Sequence, residues 1–81
     1  MPQKTELPPV SPLPLGYYRH YKGKEYEVIG VARHSETLEE LVVYRALYGQ
    51  GGLWVRPLAM FTESVEVDGN AVPRFRWLGQ R

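Results

Sequence analysis

Apolar and polar residues alternate along most of this chain with a period of two, the spacing of half-buried β-strands. Residues 17–22 form an aromatic, extended run, and Gly23-Lys24 supplies a tight turn into a second strand over residues 25–33. Strict alternation there puts Tyr26, Val28, Gly30 and Ala32 on one face and Glu27, Ile29, Val31 and Arg33 on the other, with Gly30 marking a bulge or bend. Residues 34–40 are polar, and Thr37-x-x-Glu40 has the spacing of a capping box, which allows one helical turn or a structured loop. Residues 41–48 fit a helix face through Leu38, Leu41, Val42 and Arg45. The β-branched Val42-Val43-Tyr44 and the breaker Gly49-Gln50-Gly51-Gly52 favour a strand. A short strand over residues 53–56 ends at Pro57, and one helical turn over residues 58–62 would carry Met60 and Phe61 to the core. Residues 65–67 and 71–77 make a final hairpin about Asp68-Gly69-Asn70. Five or six short strands with one helical turn define an all-β fold, a small barrel or strongly bent sheet, over residues 16–81. No internal repeat is visible.

Residues 1–15 are different. They hold five of the seven prolines, which fix φ and restrict the residue before them, so this leader is expected to be extended and to lie loosely on the domain. A Pro9-x-x-Pro12 ligand for a partner's groove is the sharper alternative.

At 81 residues the chain is one domain, small enough that each large apolar side chain matters to its core. It has no cysteine, which excludes disulfides and thiolate zinc sites. No apolar run reaches the length of a membrane helix, and no signal-peptide pattern opens the sequence, so a cytoplasmic location with no membrane partner is expected. The formal charge of +1 argues against strong sequence-independent nucleic-acid binding. Its distribution is uneven: residues 1–24 carry a net +3, residues 25–70 a net −5 and residues 71–81 a net +3. Were the two ends to meet, they would make one basic edge.

Several blocks resemble a family of short bacterial proteins named domain of unknown function 1653. They are Tyr18-Arg19-His20-Tyr21-Lys22-Gly23, Ala32-Arg33-His34-Ser35-Glu36-Thr37, Val43-Tyr44 with Leu47-Tyr48, Trp54-Val55-Arg56-Pro57 with Met60-Phe61, and Arg74-Phe75. The resemblance runs in order from Gly16 to about Leu78. It implies an SH3-type barrel, in agreement with the strand pattern, but no catalytic residue, cofactor or substrate. An SH3-type barrel would not itself imply binding of proline-rich peptides.

The candidate chemistry is sparse. His34 beside Ser35 lacks an orienting third member, and neighbouring strand side chains diverge, so no catalytic set is assigned. His20, His34 and Glu36 lack the spacing of recognised metal motifs, and no metal or cofactor is expected. Gly49-Gln50-Gly51-Gly52 lacks the Lys-Ser/Thr of a phosphate loop.

What stands out is the interleaving of cations with aromatic rings: Arg19, His20, Lys22, Arg56, Arg74 and Arg76 among Tyr18, Tyr21, Trp54, Phe75 and Trp77. Arg33, Arg45 and Arg56 interrupt apolar strands, where a charge must pair, snorkel or face a ligand. The competing expectation is that Tyr21, Trp54 and Phe75 fill the core while the cations pair with Glu25, Glu27, Glu63 and Glu66. The sequence therefore points to a non-catalytic binding module, with Arg19, His20, Arg33, His34, Ser35, Glu36 and Arg56 as ligand-binding candidates. An anionic small molecule, a nucleotide or a protein segment would be its partner. The alternatives are a small enzyme or enzyme accessory using His34 or His20 with Glu36, and an assembly module. A monomer or weak dimer is expected.

Overall fold

The chain is built from hairpins. In the computed structural model, which describes residues 8–80, β1 (Gly16–His20) pairs antiparallel with β2 (Glu25–Arg33). Their turn is closed by the Gly23 N–H to the His20 carbonyl at 2.7 Å, with Gly23 at φ 109°, a conformation that only glycine adopts without strain. β2 pairs with β3 (Glu40–Ala46) and β3 with β4 (Leu53–Pro57). β-Branched and aromatic residues thus settle residues 40–46 as strand, not helix. A single helical turn, α1 (Leu58–Phe61), leads to β5 (Ser64–Val67) and β6 (Asn70–Pro73), joined by Asp68 and Gly69. Both turn residues have positive φ, 51° and 82°, as a tight two-residue hairpin requires.

The last expected strand divides in two. Pro73 ends β6 opposite Ser64, and β7 (Phe75–Gly79) joins β1 instead. Arg74 is the joint: its N–H donates to the Glu63 carbonyl at 3.0 Å, while its own carbonyl accepts the Tyr21 N–H at 2.9 Å. The result is an all-β fold of seven strands in two antiparallel sheets, one ordered β4-β3-β2-β1-β7 and one of β5 with β6. A closed barrel was one expectation. Among the described residues β4 and β7 remain unpaired edges of the larger sheet, so no barrel closes.

The register slips between Val28 and Gly30, where the extra residue Ile29 makes the expected bulge. The bulge reverses the alternation beyond it. Val28 stands opposite Tyr44, but Val31 stands opposite the buried Val42 and Arg33 opposite Glu40, while Ala32 is exposed. Strict alternation had given Ala32 the face of Val28; the inserted residue hands that face to Val31 and Arg33.

The core lies on this inner face. Tyr18, Val28, Val42, Tyr44, Phe61 and Phe75 form one buried cluster, with Leu13, Tyr26 and Leu58 packed against it. α1 delivers Phe61 to a stack on Phe75, ring centroids 4.1 Å apart and nearly parallel, with Tyr18 edge-on at 5.3 Å. Met60, on the same turn, is 46% exposed and does not join them. No helix among the described residues is long and apolar enough to cross a membrane.

Candidate functional site

Cross-strand register puts Trp54 opposite Tyr44 and Arg56 opposite Val42, both on the inner face. Tyr26 reaches the same region from β2, where it stands opposite Ala46, and Tyr48 follows from the turn after β3. Together Tyr26, Tyr44, Tyr48, Trp54 and Arg56 line a cavity of about 210 Å³. Its aromatic wall is a network of edge contacts: Tyr26 meets Tyr44 at 5.2 Å, Tyr48 at 5.6 Å and Phe75 at 5.7 Å.

Arg56 crosses that wall. Its guanidinium carbon sits 5.6 Å from the Phe75 ring centre, and its Nε donates a long 3.4 Å bond to the Tyr44 hydroxyl. Among the described residues no carboxylate pairs with it. The Tyr26 phenol beside it stays neutral. The Tyr26 and Tyr48 hydroxyls are 2.9 Å apart, and burial followed by this bond pushes the Tyr26 pKa up to about 12. The cavity thus presents one fixed positive charge, three hydroxyls of which two keep a proton free to donate, and an indole face that is largely open to solvent.

His20 lies behind this wall, its ring edge-on to Phe75 at 4.9 Å. Burial lowers its pKa first, and the charges of Arg56, Arg74 and Lys22 lower it further. Its Nδ1 accepts the Lys22 N–H at 3.1 Å, which leaves the proton of the neutral ring on Nε2. On its other side His20 borders a second cavity of about 320 Å³, lined also by Arg19, Tyr21, Val67, Val72, Pro73 and Arg76. Arg19 and Arg76 are cross-strand neighbours there, so the two chain ends do meet in a basic edge. Arg19 is bound by Glu25 at 2.7 Å.

The remaining candidates gather elsewhere. Arg33 ends β2 and His34, Ser35 and Glu36 follow it, and none of the four lines the Arg56 cavity. His34 Nδ1 accepts the N–H groups of Glu36 and Thr37, and Arg33 donates to the Leu38 and Pro8 carbonyls. Ser35 and Glu36 are exposed. The structure therefore brings Arg56 together with tyrosines and sets His20 behind them, but it separates these from the Arg33–Glu36 loop. Among the described residues no group of three His, Asp or Glu side chains is placed to hold a metal.

Of the rings expected in the core, Phe75 is buried, whereas Trp54 is 58% exposed and Tyr21 39%. Tyr26, Tyr44 and Tyr48 were not singled out as site residues. Their alternation with Val28 and Val42 gave their face, but only the pairing of β2, β3 and β4 shows that this face also carries Arg56.

The fold and cavity define a class: a small two-sheet all-β domain with an arginine set in an aromatic pocket. Residues 16–77 match the family described as "Protein of unknown function (DUF1653)", and the chain belongs to that family. A crystal structure of a DUF1653 protein from Bordetella bronchiseptica is similar, with 39% sequence identity and a TM-score of 0.78. The match covers 85% of this chain and 91% of that one. No curated protein matches the chain. All the residues lining the Arg56 cavity fall within the matched region.

Proposed function

We propose that this chain is a non-catalytic binding module whose site is the Arg56 cavity. Its ligand is a small molecule that carries a phosphate or carboxylate beside a flat ring, of which a nucleoside monophosphate is the model. The carrying observation is the state of Arg56: a guanidinium on the wall of a cavity, held by a long bond and a ring face, with no carboxylate among the described residues. A fork of N–H donors left in that state suits a bidentate oxyanion. The tyrosine hydroxyls would add donors, and the open Trp54 ring would offer a stacking face beyond the mouth. A cavity of about 210 Å³ fits an anionic head and leaves a nucleoside to lie over Trp54.

Binding is favoured over chemistry because each imidazole uses Nδ1 to accept backbone N–H groups of its own turn. His20 backs this site through Phe75, while Arg19 borders the second cavity and Arg33, His34, Ser35 and Glu36 form a separate loop. An SH3-type architecture and a cytoplasmic setting accompany the reading, the second supported by a chain without cysteine.

Titration of ¹⁵N-labelled protein with adenosine monophosphate, inorganic phosphate and benzoate tests it. The Arg56 Nε–H and Trp54 indole signals should move saturably, and Arg56→Gln should weaken the tightest ligand about 10- to 100-fold, the range for a lost charged hydrogen bond. Unmoved signals at millimolar concentrations of all three compounds would remove the proposal.

A further inference from the structure

The described part of the leader, residues 8–15, is tied to the inner face by bonds that suit a proline-rich backbone. Proline lacks an N–H, so an extended segment rich in it offers mainly carbonyl acceptors to a surface. The domain answers with donors. The Tyr18 hydroxyl donates to the Pro14 carbonyl at 2.7 Å, the Trp77 indole N–H to the Leu15 carbonyl at 3.1 Å, and Arg33 Nη2 to the Pro8 carbonyl at 2.8 Å. At Ser11, one of the four residues of the segment that carry an N–H, the surface changes sign. Glu40 accepts both that N–H and the Ser11 hydroxyl, the latter at 2.9 Å. Between these anchors Leu13 packs against the buried cluster, while Pro12 and Pro14 stay exposed.

This is the division of labour found in peptide recognition of the polyproline kind, with donors reading carbonyls and one apolar side chain seated. Tyr18, Arg33, Glu40 and Trp77 all lie in the family-matched residues 16–77, whereas the segment they hold lies outside them. We propose that this groove is a binding site for an extended proline-rich peptide of the pattern Ser-Pro-Leu-Pro-Leu, and that the chain fills it in cis with residues 11–15. Covalent attachment gives the leader an effective concentration of order millimolar, so a peptide in trans enters only when the leader lets go.

The test uses the full chain with Ser11→Ala and Leu13→Ser, which weaken the leader and leave the groove intact. In ¹⁵N spectra its Trp77 indole signal should leave the native position. The synthetic peptide Pro-Pro-Val-Ser-Pro-Leu-Pro-Leu should return it saturably, and the same peptide with glycine for its last two prolines should bind several-fold more weakly. Adding Tyr18→Phe should weaken the native peptide about fivefold, the loss for one neutral hydrogen bond. An indole that ignores millimolar peptide in a folded variant overturns the proposal. If the double variant unfolds, Tyr18→Phe alone in the otherwise native chain decides. Its heteronuclear NOE values at Ser11, Leu13 and Leu15 should fall while those of β2 and β3 hold, and unchanged values overturn the proposal. Phosphate titration at Arg56 is read in the same samples and should not depend on the leader, so failure of one site leaves the other standing.

Discussion

Phe61→Ala tests how this domain holds its inner face. Phe61 is 1% exposed, stacks on Phe75 at 4.1 Å, meets Tyr18 edge-on at 5.3 Å and lies 5.7 Å from Tyr44. Truncating a ring so placed removes its transfer free energy and leaves a cavity, a loss of about 3–5 kcal/mol. At roughly 0.05–0.15 kcal/mol per residue, a domain of 81 residues has about 4–12 kcal/mol in total. The variant should therefore lose about a quarter or more of its stability, and at the lower end nearly all. Phe61→Leu keeps most of the volume and should lose about 1–1.5 kcal/mol, mainly ring contacts. Met60→Ala is the internal control, one residue away on the same turn and 46% exposed, with an expected change within about 0.5 kcal/mol. Urea denaturation at 25 °C, followed by tryptophan fluorescence and far-UV circular dichroism, reads all three midpoints at constant slope. Equal losses at Met60 and Phe61 would show that α1 does not pin the core through one ring, and the account of the inner face would fail.

His20 has a depressed pKa, so the unfolded chain binds its proton more readily than the native one. Its contribution to stability is complete above about pH 6.5 and is lost as pH falls toward the native value; His20→Phe should flatten that part of the stability profile. Tyr26 should titrate near 12 by ultraviolet absorbance, and Tyr48→Phe should bring it down by removing the bond that favours the neutral phenol. Gly16→Ala should destabilise severely, because a Cβ there would sit 2.4 Å from the Gly79 carbonyl oxygen on a backbone at φ 123°. A melting temperature within a few degrees of the native one would contradict the close packing of β1 on β7.

Much of the fold was legible because strand signals here are local. Tyr26 with Val28, and Val42 with Tyr44, are pairs at period two, and Gly23 and Asp68-Gly69 name their turns. Two long-range effects were not legible. The bulge at Gly30 could be anticipated, but its consequence for Val31 and Arg33 depends on which residues of β3 face them. The division of the last strand at Arg74 follows from Glu63 bonding its N–H and Tyr21 its carbonyl, two distant partners absent from any local pattern. The site was half visible for the same reason. A charge inside an apolar strand marked Arg56, whereas its tyrosines belong to two other stretches of chain, at residue 26 and at residues 44 and 48, that only the pairing assembles.

The electrostatic character of the inner face follows from placement, not from totals. The acids of residues 25–70 outnumber the cations, yet seven of the eight are exposed or held by partners outside the Arg56 cavity. Glu36 and Glu39 lie exposed in the loop before β3, and Glu66 and Asp68 lie on the exposed β5–β6 hairpin. Glu25 and Glu63 are bound to Arg19 and Arg74, and Glu40, at the far end, to Ser11, which holds its carboxyl below the usual carboxylate range. What remains around His20 and Phe75 is Arg56, Arg74 and Lys22, the three charges that depress the imidazole. Field and lining agree: the cations that add to burial in disfavouring a proton on His20 favour an anion at Arg56, on a face whose tyrosine hydroxyls can donate to it. If a bound oxyanion screens those cations, the His20 pKa must rise on ligand binding. An imidazole titration that is the same with and without saturating phosphate or nucleotide would separate His20 from the Arg56 site and break this link.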